Sequence, residues 1–271
     1  MLRNIGFVGG GKMAEAIVRG LLANGLVRPG QVVVGEPAPE RREVLTSRHG
    51  VATTTSNREA VRAAELVVLA VQPQHVGEVL SDLRGQFLDG QLVLSIVAGV
   101  TLSRLVEGLE HRAVVRVMPN TPAQVGEGVS VWTATPAVSD AGRQEARAVL
   151  QSLGREVFVA DEKYLDMATA LSGSGPAYVF LFLEAMVDAG VHLGFTRKVA
   201  EELVLQTVLG SVLMARESGK HLAELRNLVT SPAGTTAAGL QELEDGRLRA
   251  VVDRAVMAAY ERCKELGQKG K

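Results

Sequence analysis

The sequence contains one cysteine, Cys263, in 271 residues. A single thiol excludes an intramolecular disulfide and a metal site built from a cysteine cluster. The five histidines are scattered and no two are spaced i, i+4, so no zinc-binding helix is indicated and we expect no metal. Aromatic residues make up only 4% of the chain, so Ala, Val and Leu must fill the core.

An excess of charge of one sign is also missing. The chain has 29 Lys and Arg against 30 Asp and Glu, which argues against the broad basic surface of a nucleic-acid-binding protein. The longest uncharged run, between Asp166 and Glu184, has 17 residues and contains Ser-Gly-Ser-Gly-Pro, which predicts no membrane span. The apolar run that follows the first four residues is too short and too glycine-rich to be the hydrophobic region of a secretion signal. We expect a soluble, cytoplasmic protein with no membrane partner.

The first half of the chain alternates short apolar runs with segments of helical periodicity. The runs are rich in Val, Leu and Ile without polar alternation, as expected of parallel strands covered on both faces. They comprise residues 5–8, 32–34, 66–71, 92–96 and 114–118. Strand–helix–strand repetition predicts a Rossmann-type, doubly wound, mainly parallel sheet. Two further strands, at 128–132 and 156–159, are predicted at its edge.

After about residue 160 the pattern changes to helical periodicity with almost no strand-like runs. We therefore predict an α/β chain with two domains, a sheet domain over 1–160 and an all-α domain over 161–271. Pro176 opens a long helix that is apolar nearly all round and is expected to be buried. A small helical domain offers too few neighbours to bury it, so we predict a homodimer through the C-terminal helices.

A glycine-rich turn follows the first strand and opens the first helix. Gly9, Gly11 and Ala14 match the pattern G-x-G-x-x-G/A. In that pattern the first glycine makes a tight turn, and the second lets the backbone approach a pyrophosphate at the helix N-terminus. Glycines that serve only a tight turn are the plain alternative. In this context the motif predicts that the domain 1–160 binds a dinucleotide.

A P-loop is the other alternative, because Gly6-x4-Gly11-Lys12 nearly matches its consensus. Met13 occupies the Ser/Thr position and cannot ligate magnesium. No aspartate closes the 66–71 run as it would in a Walker B strand. The P-loop is therefore rejected.

The type of nicotinamide cofactor depends on the residue that ends the second strand. Glu36 follows Val32-Val33-Val34-Gly35, and an acidic residue there normally binds the ribose 2′-OH and disfavours a 2′-phosphate. Arg41 and Arg42 follow closely and offer a 2′-phosphate partner instead. The plain alternative is that all three side chains are solvated surface charges with no role in cofactor binding. The cofactor is thus predicted as NAD(P)H, with a slight preference for NADH.

Six segments together resemble the pyrroline-5-carboxylate reductase family. They are the opening stretch 5–16, Ala-Val-Gln-Pro at 70–73, Ser-Ile-Val-Ala-Gly-Val at 95–100, Arg-Val-Met-Pro-Asn-Thr-Pro at 116–122, Leu-Ser-Gly-Ser-Gly-Pro-Ala-Tyr at 171–178, and Thr-Ser-Pro-Ala-Gly-Thr-Thr at 230–236. They stand in family order and cover nearly the whole chain. The last two are specific to this family among dinucleotide-binding reductases.

The resemblance implies reduction of the cyclic imine 1-pyrroline-5-carboxylate to L-proline by NAD(P)H, the final step of proline biosynthesis. It also implies a C-terminal helical dimerisation domain and often a ring of dimers. The implied cofactor-binding residues are Gly9, Gly11, Lys12, Met13, Glu36, Asn57, Ala70, Val71, Gln72, Pro73, Val97 and Ala98. The implied substrate-binding residues are Glu162, Ser174, Gly175, Ser231, Gly234, Thr235 and Thr236.

The reaction asks little of side chains, because the nicotinamide carries the hydride and the protein supplies binding and orientation. The loop 231–236 is rich in Gly, Ser and Thr and precedes a helical run, so it is assigned the substrate carboxylate. The resemblance places the Thr236 hydroxyl beside the ring nitrogen, as the catalytic group.

Plainer roles compete at each of these positions. Thr235 and Thr236 have the composition of a helix cap, and Asn57 that of an N-cap. Glu162 is otherwise a solvated carboxylate, and the segment 172–176 a turn with a helix cap.

The chain departs from the family pattern in four places. Lys12 stands where a neutral polar residue is usual, and Gln72 where lysine is usual. Ala233 replaces a glycine in the late loop, and Leu222 replaces a proline. None of these changes removes a group that the chemistry needs.

Two other functions are weighed against the reductase. A β-hydroxyacid dehydrogenase shares the architecture but uses a lysine early in its second domain, and no lysine occurs between Lys163 and Lys198. A non-catalytic NAD(P)H-binding dimer would not need both late loops.

Overall fold

The computed structural model describes residues 2, 4–62 and 64–269. The chain forms two compact units, one running to Ser174 and resumed from Ala259, the other spanning Gly175–Ala258. The sequence places the domain boundary at 160/161 instead. The difference arises because the helix over residues 163–168 packs against the strands over residues 114–118 and 128–134, and so belongs to the first unit.

One eight-stranded sheet organises the first unit. Its strands are β1 (Ile5–Val8), β2 (Val32–Gly35), β3 (Ala52–Thr54), β4 (Leu66–Leu69), β5 (Leu92–Ser95), β6 (Val114–Met118), β7 (Gly128–Ala134) and β8 (Gly154–Phe158). Their order is β3-β2-β1-β4-β5-β6-β7-β8. The first six are mutually parallel, whereas β7 runs antiparallel to β6 and parallel to β8. The predicted fold class is confirmed.

Helices connect the strands and cover both faces of the sheet. They are α1 (Lys12–Ala23), α2 (Pro39–His49), α3 (Asn57–Arg62), α4 (Val76–Leu83), α5 (Leu102–Leu109), α6 (Asp140–Gln151) and α7 (Lys163–Ala168). Along β4, Leu66 and Val68 belong to the core on one face of the sheet, and Val67 and Leu69 to the core on the other. Burial on both faces explains why the strand runs show no polar alternation.

The short strand β3 was not predicted. Its sequence Ala-Thr-Thr lies at the edge of the sheet and none of its residues is buried, so it lacks the apolar signature of the other strands. The runs predicted at 66–71 and 92–96 end earlier as strands, at Leu69 and Ser95. Their remaining residues form loops at the carboxyl edge of the sheet.

The second unit consists of helices α8 (Gly175–His192), α9 (Arg197–Ser218), α10 (Leu222–Leu228), α11 (Thr235–Asp245) and the first half of α12 (Leu248–Lys269). In α8 Pro176 lies in the first turn, as predicted. The helix is not buried within one chain, since Phe180 and Leu181 are more than 60% exposed. Only Val187, Ala200 and Val204 form a buried apolar cluster in this unit.

By length and composition, one helical run in the described residues is apolar enough to cross a membrane, namely Lys163–His192. The sequence predicts no membrane span there. The same apolar surface is what the homodimer prediction requires.

Candidate functional site

A cleft of about 430 Å³ opens at the carboxyl ends of β1 and β4. The chain leaves β1 toward β2 on one side and later returns to β4 on the other, so this is the switch point where open α/β sheets bind ligands. The lining residues are Gly9, Gly11, Glu36, Pro37, Asn57, Ala70, Val71, Gln72, His75, Glu78, Val79 and Asp82. Seven of the predicted cofactor residues are therefore brought together here.

The glycine-rich turn forms the floor of this cleft. Gly9 has a φ of +96°, and a Cβ there would lie 2.8 Å from the carbonyl oxygen of Ala70. A Cβ at Gly11 would meet no atom within 4 Å. Gly11 is the N-cap residue of α1 and has no side chain that could cap the helix. The first backbone N–H groups of α1 are therefore free to donate to a ligand. A dinucleotide pyrophosphate fits such a cradle.

The Glu36 carboxylate contacts main-chain donors on two loops. Oε2 accepts a hydrogen bond from Gly10 N at 2.8 Å, and Oε1 accepts one from Ala38 N at 2.9 Å. The side chain is half-buried. Glu36 therefore ties the glycine-rich turn to the loop that follows β2, a role that the sequence did not indicate.

Arg41 and Arg42 are also held by the protein itself. Arg41 donates from Nε and Nη2 to Gly10 O and forms an ion pair of 2.8 Å with Glu15. Arg42 donates from Nη1 to the carbonyl oxygens of Glu36 and Pro37. Burial raises the pKa of Glu15, but the hydrogen bonds from Arg41 and His49 outweigh it and hold that pKa below its ordinary value.

Asn57 lines the cleft as the first residue of α3. The capping hydrogen bond is made by its neighbour, because Ser56 Oγ accepts from Glu59 N at 3.4 Å. The N-cap interpretation of Asn57 is therefore wrong. Its side-chain amide has no hydrogen-bond partner among the described residues and remains available to a ligand.

The other predicted cofactor residues are not among those that line the cleft. Lys12 is exposed at the start of α1, and Met13 packs against the core. Pro73 begins a 3₁₀ turn after Gln72, Val97 is buried and Ala98 is exposed. Their assignment to cofactor binding stays a prediction.

Sequence reasoning missed one wall of the cleft, formed by the turn and helix that follow β4. The sequence indicated no role for His75, but it lines the cleft together with Glu78 and Asp82. Arg58 donates to Asp82 Oδ1 at 2.8 Å across this wall. The available signal was positional, since α4 follows the strand that borders the switch point.

Glu162 belongs to a polar network centred on Arg116. The buried Arg116 guanidinium bonds Glu162 Oε1 at 2.7 Å and Asp166 Oδ1 at 3.2 Å. Glu162 Oε1 also accepts from Leu102 N, at the first turn of α5. Nearby, burial raises the pKa of the Cys263 thiol. Glu162 is therefore a structural partner rather than the solvated carboxylate of the alternative interpretation.

The segment 172–174 ends the first unit on a π-helical turn, Thr169–Gly173. A Cβ at Gly173 would lie 2.7 Å from Met118 Cε, so glycine permits this close packing. Asn120 Nδ2 donates to Ser172 O, and Ser174 Oγ donates to Thr169 O at 3.0 Å. The Ser174 hydroxyl keeps its acceptor lone pairs.

The loop 231–236 opens α11 in the second unit. Gly234 is the N-cap, no side chain caps the helix, and Thr235 and Thr236 are its first two residues. The interpretation of the two threonines as caps is therefore wrong. Ala233 has a φ of +58°, the left-handed conformation that favours glycine, so the loop keeps a glycine-like shape despite the replacement. A Cβ at Gly234 would lie 2.3 Å from Ser231 Oγ.

Comparison with known proteins gives two family matches. Residues 162–266 match the model for pyrroline-5-carboxylate reductase dimerisation, and residues 4–99 match a model described as NADP oxidoreductase, coenzyme F420-dependent. No group of three or more His, Cys, Asp or Glu that could hold a metal ion occurs in the described part of the chain.

Relatives cover almost the whole chain. The pyrroline-5-carboxylate reductase of Synechocystis sp. is 43% identical over 98% of this chain and 98% of its own, and that of Pisum sativum is 42% identical over 97% and 95%. A solved structure of the Coxiella burnetii reductase is 39% identical, with a TM-score of 0.90 over 97% of this chain and 98% of its own. A Plasmodium falciparum reductase structure with NADP bound is 34% identical, with a TM-score of 0.89 over 98% of each chain. The chain belongs to the pyrroline-5-carboxylate reductase family.

Proposed function

We propose that this protein reduces 1-pyrroline-5-carboxylate to L-proline with NADH or NADPH, the last step of proline biosynthesis. The observation that carries the proposal is the similarity to reductases of that name over nearly the full chain, which includes both the cleft and the loop 231–236. When bound, the reduced nicotinamide supplies the hydride that adds to the imine carbon.

The first unit binds the dinucleotide. Gly9 and Gly11 allow the backbone to approach the pyrophosphate, and the uncapped N–H groups of α1 donate to it. The Asn57 amide is available to the ribose hydroxyls. The main chain of the loop 70–73 provides further contacts from the β4 side of the cleft, where Ala70, Val71 and Gln72 line it.

The loop of the second unit binds the substrate. The free N–H groups at the start of α11 and the hydroxyl of Ser231 receive the carboxylate, with Gly234, Thr235 and Thr236 forming the turn around it. The Thr236 hydroxyl donates a hydrogen bond to the imine nitrogen, and when its proton passes to that nitrogen the hydroxyl regains one from solvent water. Ser174 and Gly175 are further substrate contacts that the family resemblance implies. Glu162 is a further candidate substrate contact, although its Oε1 already accepts hydrogen bonds from Arg116 and Leu102 N.

The functional form is a homodimer assembled through the second unit, and dimers join into a ring. The exposed apolar side chains of α8 and α9 are the surface that a second copy covers. With that surface covered, the dimer is a soluble cytoplasmic enzyme.

The test is a steady-state assay of the purified protein. With 1-pyrroline-5-carboxylate and either reduced cofactor, we expect loss of the reduced nicotinamide absorbance and equimolar L-proline, identified by amino-acid analysis. A β-hydroxyacid supplied with the oxidised cofactor is the control and is expected to give no turnover. Binding of either cofactor without proline formation would favour a non-catalytic dinucleotide-binding dimer.

A further inference from the structure

The Glu36 carboxylate occupies main-chain donors at the edge of the dinucleotide cleft. Gly10 N and Ala38 N both donate to it, at 2.8 and 2.9 Å. These two N–H groups belong to the loops that follow β1 and β2, and backbone N–H groups in such loops are common ligands of phosphate oxygens. Here the protein's own anion satisfies them, so they are not free for a second one.

The packing holds this carboxylate in place. A Cβ on Gly10 would lie 2.8 Å from Leu45 Cδ1 and 3.1 Å from Glu36 Cβ, so the glycine leaves just enough room for the glutamate. Arg42 donates to the carbonyl of Glu36 and fixes its backbone as well. Moving the carboxylate aside for another anion would break both of its hydrogen bonds.

The charges around the cleft do not compensate for this carboxylate. The acidic residues Glu36, Glu78 and Asp82 line it, whereas no Lys or Arg is among the described lining residues. The cations closest in sequence are already engaged, Arg41 by Gly10 O and Glu15, and Arg42 by the carbonyl oxygens of Glu36 and Pro37. Arg58 is paired with Asp82. Lys12 is exposed at the start of α1, outside the lining.

We infer that Glu36 makes this protein select NADH over NADPH. The inference rests on the proposed function and deepens it. A 2′-phosphate at the end of β2 would meet a carboxylate and occupied N–H groups, whereas a 2′-hydroxyl donates to the remaining lone pairs of Glu36 and bonds the Asn57 amide. A Plasmodium falciparum reductase has been solved with NADP bound, so the selection is inferred for the present chain and not for every relative.

The test measures the Kd of NADH and of NADPH for the full-length protein by the fluorescence of the reduced nicotinamide. We expect NADH to bind at least about tenfold more tightly. Glu36→Gln removes the charge and keeps the shape, so NADPH binding is expected to tighten at least about fivefold with little change for NADH. Glu40→Gln, an exposed change on the first turn of α2, is the matched control and should leave both Kd values unchanged.

A second measurement needs no variant. In thermal unfolding of the wild-type protein, AMP is expected to raise the Tm more than adenosine 2′,5′-bisphosphate, which adds only a 2′-phosphate, does at equal concentration. Equal or tighter binding of NADPH by the wild type would overturn the inference, as would an unchanged ratio of the two Kd values in Glu36→Gln. Neither result depends on proline formation, so the proposed function can fail or stand separately.

Discussion

The two units of the molecule differ in where their apolar side chains find partners. In the first unit, apolar clusters fill both faces of the sheet, and large side chains such as Phe7 and Trp132 are almost completely buried. In the second unit only Val187, Ala200 and Val204 are buried, while long stretches of α8 and α9 remain exposed. The first unit can therefore stabilise itself, whereas the second requires another copy of the chain.

The largest effect is expected from a charge introduced on the exposed face of α8. Leu181→Arg is expected to weaken the dimer by about 3 kcal/mol or more, because an unpaired charge would be buried at the interface. That loss corresponds to roughly a hundredfold or more in the dimer Kd, measured by sedimentation. Leu88→Arg is the matched control, since Leu88 of the first unit is 62% exposed against 68% for Leu181. Equal effects of the two changes would contradict the distinction.

Changes in the polar network around Arg116 test whether the first unit is stabilised by its own internal contacts. The Arg116 side chain is 5% exposed, and those of Glu162 and Asp166 are 30% and 32% exposed. Removing both carboxylates in Glu162→Gln/Asp166→Asn strands a buried guanidinium and is expected to cost about 3 kcal/mol of unfolding free energy. Arg116→Met leaves carboxylates that water reaches and should cost less than half as much. Urea unfolding at fixed protein concentration checks the order, and the reverse order would refute it.

The two units are also expected to differ in function, and a change in the loop 231–236 of the second unit tests this. Thr236→Ala is expected to lower kcat at least about tenfold, because proton transfer loses its positioned hydroxyl. The Kd of the cofactor should stay nearly unchanged, since the first unit binds it. Thr207→Ala removes a hydroxyl that donates to Leu203 O on α9 and serves as the control. An unaltered kcat in Thr236→Ala would remove this residue from the mechanism.

Glu15 gives the first unit a pH-dependent contribution to stability. Its pKa is lower in the folded protein than the ordinary value of 4.5, so its contribution is complete above that value and is lost as the pH falls through the folded pKa. The difference in unfolding free energy between the wild type and Glu15→Gln should therefore shrink as the pH falls from about 6 toward about 3. A difference that grows on acidification would contradict the ion pair with Arg41.

The smallest expected effect lies in the second unit, at Ala233. Its φ of +58° is strained for alanine but not for glycine. Ala233→Gly is therefore expected to stabilise the protein by about 0.5 kcal/mol, after the entropy lost by glycine is subtracted. The Tm should rise slightly at constant protein concentration. A lower Tm would show that the loop does not hold the left-handed conformation.

Much of this fold could be predicted from the sequence, because the signals are local. Apolar runs without alternation marked β1, β2, β4, β5 and β6, and the spacing of Gly9 and Gly11 marked the cleft. The edge strand β3 was not predicted, because its three residues are exposed or half-buried and show no apolar pattern.

The partners of Glu36 and Glu162 could not be predicted from local signals. Glu36 bonds Gly10, 26 residues away, and Glu162 bonds Arg116, 46 residues away. Composition and spacing indicate that a carboxylate is present, but only the fold decides which donor it meets. The sequence therefore indicated candidate ligand contacts for both residues but not these protein partners.

The mass of the wild-type protein in solution tests the central distinction between the two units most directly. Sedimentation equilibrium over a wide range of protein concentrations is expected to give two chains or an even multiple. On dilution, the Tm should fall as the helical unit loses its partner. A single-chain mass with a Tm independent of concentration would contradict the account, because the apolar faces of α8 and α9 would then be stable in water without a second copy.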